Sequence, residues 1–215
     1  MQIRLLYVDE DLIVCEKPVG ISSESPGLPD LIREQESFAV FPVHRLDQTT
    51  GGACVLARSS SVCSAMQQLF QQNNIIKTYL AVISGIPDTD SGVYCDLLYH
   101  DQRSNKTFVV NKKRKGVKEA SCEWFLLQTI ITKESTLSLL RIRLHSGRTH
   151  QIRVQFASRR MPLIGDRRYG SQIKASAPSL WSERICFTHP ISSKKTIDVS
   201  SSPPNIFPWM YFSVK

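Results

Sequence analysis

The residues best suited to chemistry in this chain stand in one short run, residues 43–52, "VHRLDQTTGG". It sets His44, Arg45 and Asp47 directly before a threonine pair and a glycine pair. Asp47 is open to two readings: a turn residue bonded to its own backbone, or a carboxylate that acts on a substrate. Further groups of the right kind follow: Tyr79 in the apolar run "IKTYLAVIS", and Arg148 and Arg153 at an expected helix start. Other chemistries lack their residues. The chain has no G-x-x-x-x-G-K-[ST] loop and no G-x-G-x-x-G between a strand and a helix, so nucleotide cofactors have no support. There is no G-x-S-x-G elbow, and His145 and His150 have no carboxylates at metal-ligand spacing. Neither a metal nor an organic cofactor is expected.

The elements that must position these groups belong to a chain of 215 residues, which suits one domain. A chain of this size buries enough surface to need no disulfide or metal for its core. With 41% hydrophobic and 21% charged residues it has an ordinary globular balance. The six cysteines (15, 54, 63, 95, 122 and 186) are scattered without a C-x-x-C pair, which fits free thiols in a reducing compartment. The opening "MQIRLLYVDEDLIV" is acidic and only briefly apolar, unlike a secretory leader, and no run is long enough to span a bilayer. A cytoplasmic location is therefore the expectation.

A net charge of +8 favours a polyanionic partner, nucleic acid above all. Lys112, Lys113, Arg114, Lys115 and Lys118 crowd one segment, and Arg159–Arg160 and Arg167–Arg168 form two pairs. Each cluster alone reads as a solvated loop. Together they suggest a surface that tracks phosphates and loses affinity steeply with salt.

Short strands are expected over 3–7 and 12–15 around a turn at 9–11, followed by an irregular connection, "EKPVGISSESPGLPD". A buried strand over 53–57 leads to a helix capped by Ser59 or Ser60. Its apolar stripe is Val62, Ala65, Met66, Leu69 and Phe70, and Asn73–Asn74 ends it. Residues 76–84 alternate as a strand. Residues 107–110 and 120–126 suggest a hairpin with a long positive tip. Over 137–145, Leu140, Ile142 and Leu144 point inward while Arg141, Arg143 and His145 point outward. A turn at Ser146–Gly147 precedes a helix from about Thr149, and 185–188 with 196–199 form a last hairpin. Many connections are too short for parallel crossovers. The expected fold is α+β: a single domain over 1–215, built on a mixed, largely antiparallel β-sheet with flanking helices.

In this order the pieces resemble the RluA-type family of RNA pseudouridine synthases. "LLYVDEDLIVCEKPVGI" resembles that family's opening strands and K-P-x-G turn, "HRLDQTTGG" its H-R-L-D-x-x-T-S-G signature, and "KTYLAVISG" its K-x-Y-x-A-x-V-x-G strand. "SGRTHQIRVQFAS" and "PLIGDRRYG" resemble its T-G-R-T-H-Q-I-R-V-H helix start and P-I-x-G-D-x-x-Y-G loop. The chain departs from the pattern at Gly51 (usually Ser), Ser146 (Thr) and Gln155 (often His). No room is expected before Ile3 for the S4-type RNA-binding domain of many relatives, so the chain reads as a bare catalytic core.

The resemblance implies a pseudouridine synthase-like fold and isomerisation of uridine in structured RNA, rRNA or tRNA, by a monomer without cofactor. In that reaction uracil leaves C1′ of its ribose, turns, and rejoins through C5. Asp47 would stabilise or attack the positive sugar carbon, as carboxylates do in glycoside hydrolysis. Arg153 would keep Asp47 ionised in a dry pocket. Tyr79 would lay its ring against the uracil and handle a proton at C5. Arg45 would fill the stack vacated by the flipped base. His44 would brace its loop, while Arg148, Thr149 and His150 hold the helix start. Lys112, Lys113, Arg114 and Lys115 would track phosphates. A non-catalytic RNA-binding protein on the same fold, and a hydrolytic N-glycosidase, are the competing readings.

Overall fold

The computed structural model describes residues 1–132 and 135–213. Among them are eleven strands and three α-helices, which the backbone contacts divide into two compact units. One comprises Met1–Thr78 with Trp181–Pro203; the other comprises Tyr79–Leu180 with the chain from Pro204 onward.

In the first unit, β1 (Leu5–Val8) and β2 (Leu12–Lys17) pair antiparallel. Asp9 fixes their turn, its Oδ1 accepting from the amides of Asp11 (3.0 Å) and Leu12 (2.8 Å). Helix α1 (Leu28–Glu36) follows, then β3 (Phe41–Pro42), β4 (Gly51–Ala57) and α2 (Ser60–Gln71). The late strands β10 (Leu180–Thr188) and β11 (Thr196–Ser200) complete the order β1-β2-β4-β10, with β3 also on β4 and β11 on β10. The β4–β10 pairing is parallel and the other pairings of this unit are antiparallel. Every residue of β4 is buried. Val14, Val55, Met66, Ile185 and Phe187 close a core around it, each such side chain contributing roughly 1.5–3 kcal/mol by leaving water.

In the second unit the strand order is β5 (Ile75–Ser84), β9 (Thr136–Leu144), β8 (Val117–Ile131), β6 (Ser91–Asp101), β7 (Lys106–Val110). The first residues of β5 belong to the first unit. Helix α3 (Gln151–Ala157) packs its Phe156 against Tyr94 and Trp124.

The mixed, largely antiparallel sheet and flanking helices are as expected, and several elements match closely. Ser59 caps α2, its hydroxyl accepting from the Val62 amide, and β10 pairs with β11 as the last hairpin. Other elements differ. Residues 107–110 and 120–126 do not form a hairpin: β6 lies between them, with Tyr99 facing Phe108 on one side and Val117 on the other. The basic segment is therefore a crossover past β6 rather than a hairpin tip. The stretch read as irregular, residues 16–30, runs into the first turn of α1, because Asp30 turns back to accept from the Gly27 amide (2.9 Å) and Pro29 sits in that turn. Helix α3 starts at Gln151, not Thr149, since His150 takes a left-handed conformation (φ 54°). Residues 78–83 of β5 are all buried, so the expected alternation is absent there.

Candidate active site

Asp47 lies half-buried on the loop between β3 and β4. Its carbonyl accepts from the Thr50 amide (2.9 Å), so the local turn does exist. What sets the loop apart is its bracing. Lys17, fully buried at the end of β2, donates from Nζ to the carbonyls of Ile21 (2.7 Å), Pro18 (3.0 Å) and Gln48 (3.4 Å). The Gln48 carbonyl also accepts from the Gly20 amide, and its side chain returns a bond to the Gly20 carbonyl, both at 2.8 Å. Ser23 closes a reciprocal pair with the backbone of Leu46. The residue after Asp47 is thus tied to the 18–21 turn from two directions.

Burial lowers the Lys17 pKa to about 8, opposed by Cys54, Asp47 and Cys15. A buried lysine with this setting is characteristic of functional sites. Its role was not read from the sequence. The signal was present in "EKPVG", where a lysine ends an apolar strand.

His44 accepts from the Val55 amide at Nε2 (3.0 Å) and stacks on Phe70 at 4.7 Å. Its desolvated ring, with Lys77 nearby, has its pKa pushed down to about 3. His44 is a neutral brace and presents no charge to a phosphate. Arg45 is exposed and pairs with Glu24 at 3.3 Å, an exposed ion pair contributing at most about 1 kcal/mol. The Thr50 hydroxyl is buried and has no hydrogen-bond partner among the described residues. Gly51, where the family pattern has serine, lies under Trp181: an added Cβ would come within 2.3 Å of the indole ring. The tryptophan, anchored by Nε1 to the carbonyl and hydroxyl of Ser201 (both 3.1 Å), fills the space a side chain would take.

In the second unit Arg153 is buried on α3, its guanidinium gripped by Asp166 through Nε (2.6 Å) and Nη2 (2.9 Å). The guanidinium lies 5.1 Å from the Tyr169 ring centroid. The Tyr169 hydroxyl accepts from the Thr107 amide (2.8 Å) and meets His150 Nδ1 at 3.0 Å. The Thr149 carbonyl accepts from the Thr107 hydroxyl (2.8 Å). Arg148 is exposed and donates from Nε to the Glu119 carbonyl (3.0 Å). Ser146, the second departure from the family pattern, links the Ser121 amide to the Gln151 side chain. Gln155, the third, is fully buried and bonds Asp96 at 2.8 Å. Tyr79 is 8% exposed on β5. The structure therefore groups Arg148, Thr149, His150 and Arg153 at one helix start, and adds Asp166 and Tyr169 as its supports. Both supports lie in the quoted "PLIGDRRYG", but sequence alone did not reveal whom they hold.

Lys112, Lys113, Arg114 and Lys115 are exposed on the β7–β8 crossover. The two arginine pairs are only partly available to phosphates. Arg159 is spent on a bidentate pair with Asp96 (both contacts 3.0 Å) and on the Tyr94 ring (3.9 Å). Arg168 donates to the carbonyls of Ser104 and Asn105.

Asp9, Asp11 and His189 have a metal-like grouping. However, His189 Nδ1 accepts from the amides of Ile191 (3.3 Å) and Ser192 (3.0 Å). The proton is therefore on Nε2, which lies 3.2 Å from Asp9 and 3.7 Å from Asp11 without a hydrogen bond to either and has no lone pair to give a metal. The Lys195 ammonium, 3.2 Å from Asp9, already supplies a cation. These residues do not fit a metal.

The family model for RNA pseudouridylate synthase matches residues 11–158. The chain belongs to this family. RNA pseudouridylate synthases convert uridine to pseudouridine in RNA, an isomerisation. An uncharacterized RNA pseudouridine synthase of Aquifex aeolicus is 35% identical over 78% of this chain, which spans 56% of that relative's length. The tRNA pseudouridine synthase C of Pasteurella multocida is 28% identical over 91% of this chain and 89% of its own length. The solved structure of human RNA pseudouridylate synthase domain containing 1 shares the fold, with a TM-score of 0.82 over 95% of this chain and 85% of that one, at 18% identity.

Proposed function

We propose that this pseudouridine synthase-family chain isomerises uridines in structured RNA, rRNA or tRNA, with Asp47 as its carboxylate at C1′ of a flipped nucleotide. The observation that carries the reading is the bracing of the Asp47 loop by buried Lys17 and neutral His44, in a chain of this family. Preorganised charge is what a developing positive sugar carbon requires. Arg153, gripped by Asp166, supplies the guanidinium partner of the carboxylate. Tyr79 stacks on the uracil and moves the proton at C5. Arg45, exposed on the same loop as Asp47, occupies the place of the extruded base. His150 and Thr149 hold the α3 start, while Arg148 and the exposed 112–115 segment track phosphates. The two units act as one catalytic domain. The protein works as a cytoplasmic monomer; among the described residues no helix is long and apolar enough to cross a membrane.

The test is incubation with uridine-bearing RNA. Product of unchanged mass that forms a carbodiimide-resistant adduct is expected from the wild type. None is expected from Asp47→Asn, with RNA affinity kept within a few-fold. Near-normal turnover by Asp47→Asn, or release of free uracil, would overturn the reading.

A further inference from the structure

The face of β6 and β7 turned away from α3 carries an unassigned cleft of about 790 Å³, lined by Tyr99, Asp101, Arg103, Phe108, Val110 and Arg114 among others. Its origin lies in strand register. Tyr99 and Phe108 are directly opposed across the β6–β7 ladder, so both rings share one face. The neighbouring residues Leu98 and Thr107 point the other way and are buried; Leu98 packs with Ala120 and Val154 of α3. Phe108 is left 41% exposed at what is, in this unit's strand order, the edge strand.

Cations surround these rings. The Arg114 guanidinium lies 4.8 Å from the Tyr99 ring centroid and the Lys106 ammonium 5.6 Å from that of Phe108. Arg103 and Arg114 both line the cleft. The rim is built in advance. Asp101 accepts from the Arg103 amide and the Ser104 hydroxyl, and Arg168 holds the carbonyls of Ser104 and Asn105.

We infer that this cleft seats an unpaired nucleotide of the RNA outside the target uridine, its base on Phe108 and its phosphate between Arg103 and Arg114. A phosphate alone would need no exposed ring, and an apolar protein partner would not be matched by this density of cations. Flat aromatic surface beside guanidinium groups is the recognition chemistry of single-stranded nucleic acid. The volume admits a nucleotide with room to spare. Asp101 adds an acceptor to the cleft, which favours a base that offers an amino hydrogen. RNA bound here and at the α3 start has to pass round β7, whose other face carries Thr107 against Thr149 and Tyr169.

The inference rests on the RNA-modifying reading, and the experiment separates the two. A uridine-bearing RNA hairpin is prepared with and without a single-stranded tail, and its binding to the full chain is measured across a salt series. Phe108→Ala weakens binding of the tailed hairpin by about tenfold, the scale of one base–aromatic stack, with the salt slope unchanged. Phe108→Tyr restores it. Arg114→Ala lowers the slope by about one for the tailed hairpin. The tail-less hairpin binds wild type and Phe108→Ala alike. Equal loss for both hairpins, loss for neither, or displacement of the tail by polyglutamate only when Phe108 is present would overturn the inference. Absence of pseudouridine in wild-type reactions would instead overturn the parent reading, leaving the binding comparison to stand or fall alone.

Discussion

The loop that carries Asp47 and the helix start that carries Arg153 are both tied down, but by opposite means. The Asp47 loop is held by carbonyl acceptors around one buried ammonium and by a neutral imidazole. The Arg153 site is held by a buried, bidentate ion pair and a tyrosine bridging to a second strand. In the first arrangement positive charge is disfavoured on the bracing groups. In the second, charge meets opposite charge. Position is thus secured by pH-sensitive braces on one side and by charge pairing on the other.

The largest break in this comparison comes from Asp166→Ala, which withdraws a carboxylate from a buried guanidinium and costs about 3–5 kcal/mol in denaturant unfolding. Next is Gly51→Ser, which drives an atom into the Trp181 ring and costs about 1–3 kcal/mol as overpacking. Combining it with Trp181→Leu recovers part of the loss. A non-additive double mutant is the expected outcome, and strict additivity would show that the two sites do not touch.

Lys17→Met sharpens the contrast from the activity side. It removes the ammonium that ties Gln48 to the 18–21 turn, while relieving the cost of a buried charge. The expected result is a kcat about tenfold lower, with RNA affinity and melting temperature little changed. Equal losses in stability and activity would make Lys17 a core residue only.

A pH series gives the smaller, graded effect. His44 has a folded pKa near 3 against 6.5 unfolded, so between those values the unfolded chain binds more protons. Stability is intact above pH 6.5 and falls as pH drops toward 3, by at most about 1.4 kcal/mol per pH unit. His44→Gln flattens that limb. The smallest effect belongs to Glu24→Ala, which releases Arg45 from an exposed pair and shifts stability by less than about 0.5 kcal/mol.

Helix α2 was legible because a stripe at helical spacing and a capping serine say the same thing locally. So was the alternation of Leu140, Ile142 and Leu144 with Arg141 and Arg143 in β9, although residues 137–140 are buried without alternation. The order β8-β6-β7 was not, because which strand lies between two others is decided by long-range pairing and leaves no trace in local periodicity. Helix α1 was hidden by its Pro, Gly and Ser surroundings, although Asp30 carried a capping signal. For the proposed site, motif order offered Asp47, Tyr79 and Arg153 as candidates. It did not point to Lys17, since a fully buried lysine is an exception that composition cannot reveal. Nor did it tell that Arg159 would turn inward to Asp96 rather than outward to solvent.

The indole of Trp181 over Gly51 makes two distant positions a single unit of inheritance. A serine that arrives alone at 51 meets the ring, and a smaller residue that arrives alone at 181 opens a void. In this structure a side chain at 51 and the indole at 181 exclude each other, so what either position tolerates is set by its occupied neighbour.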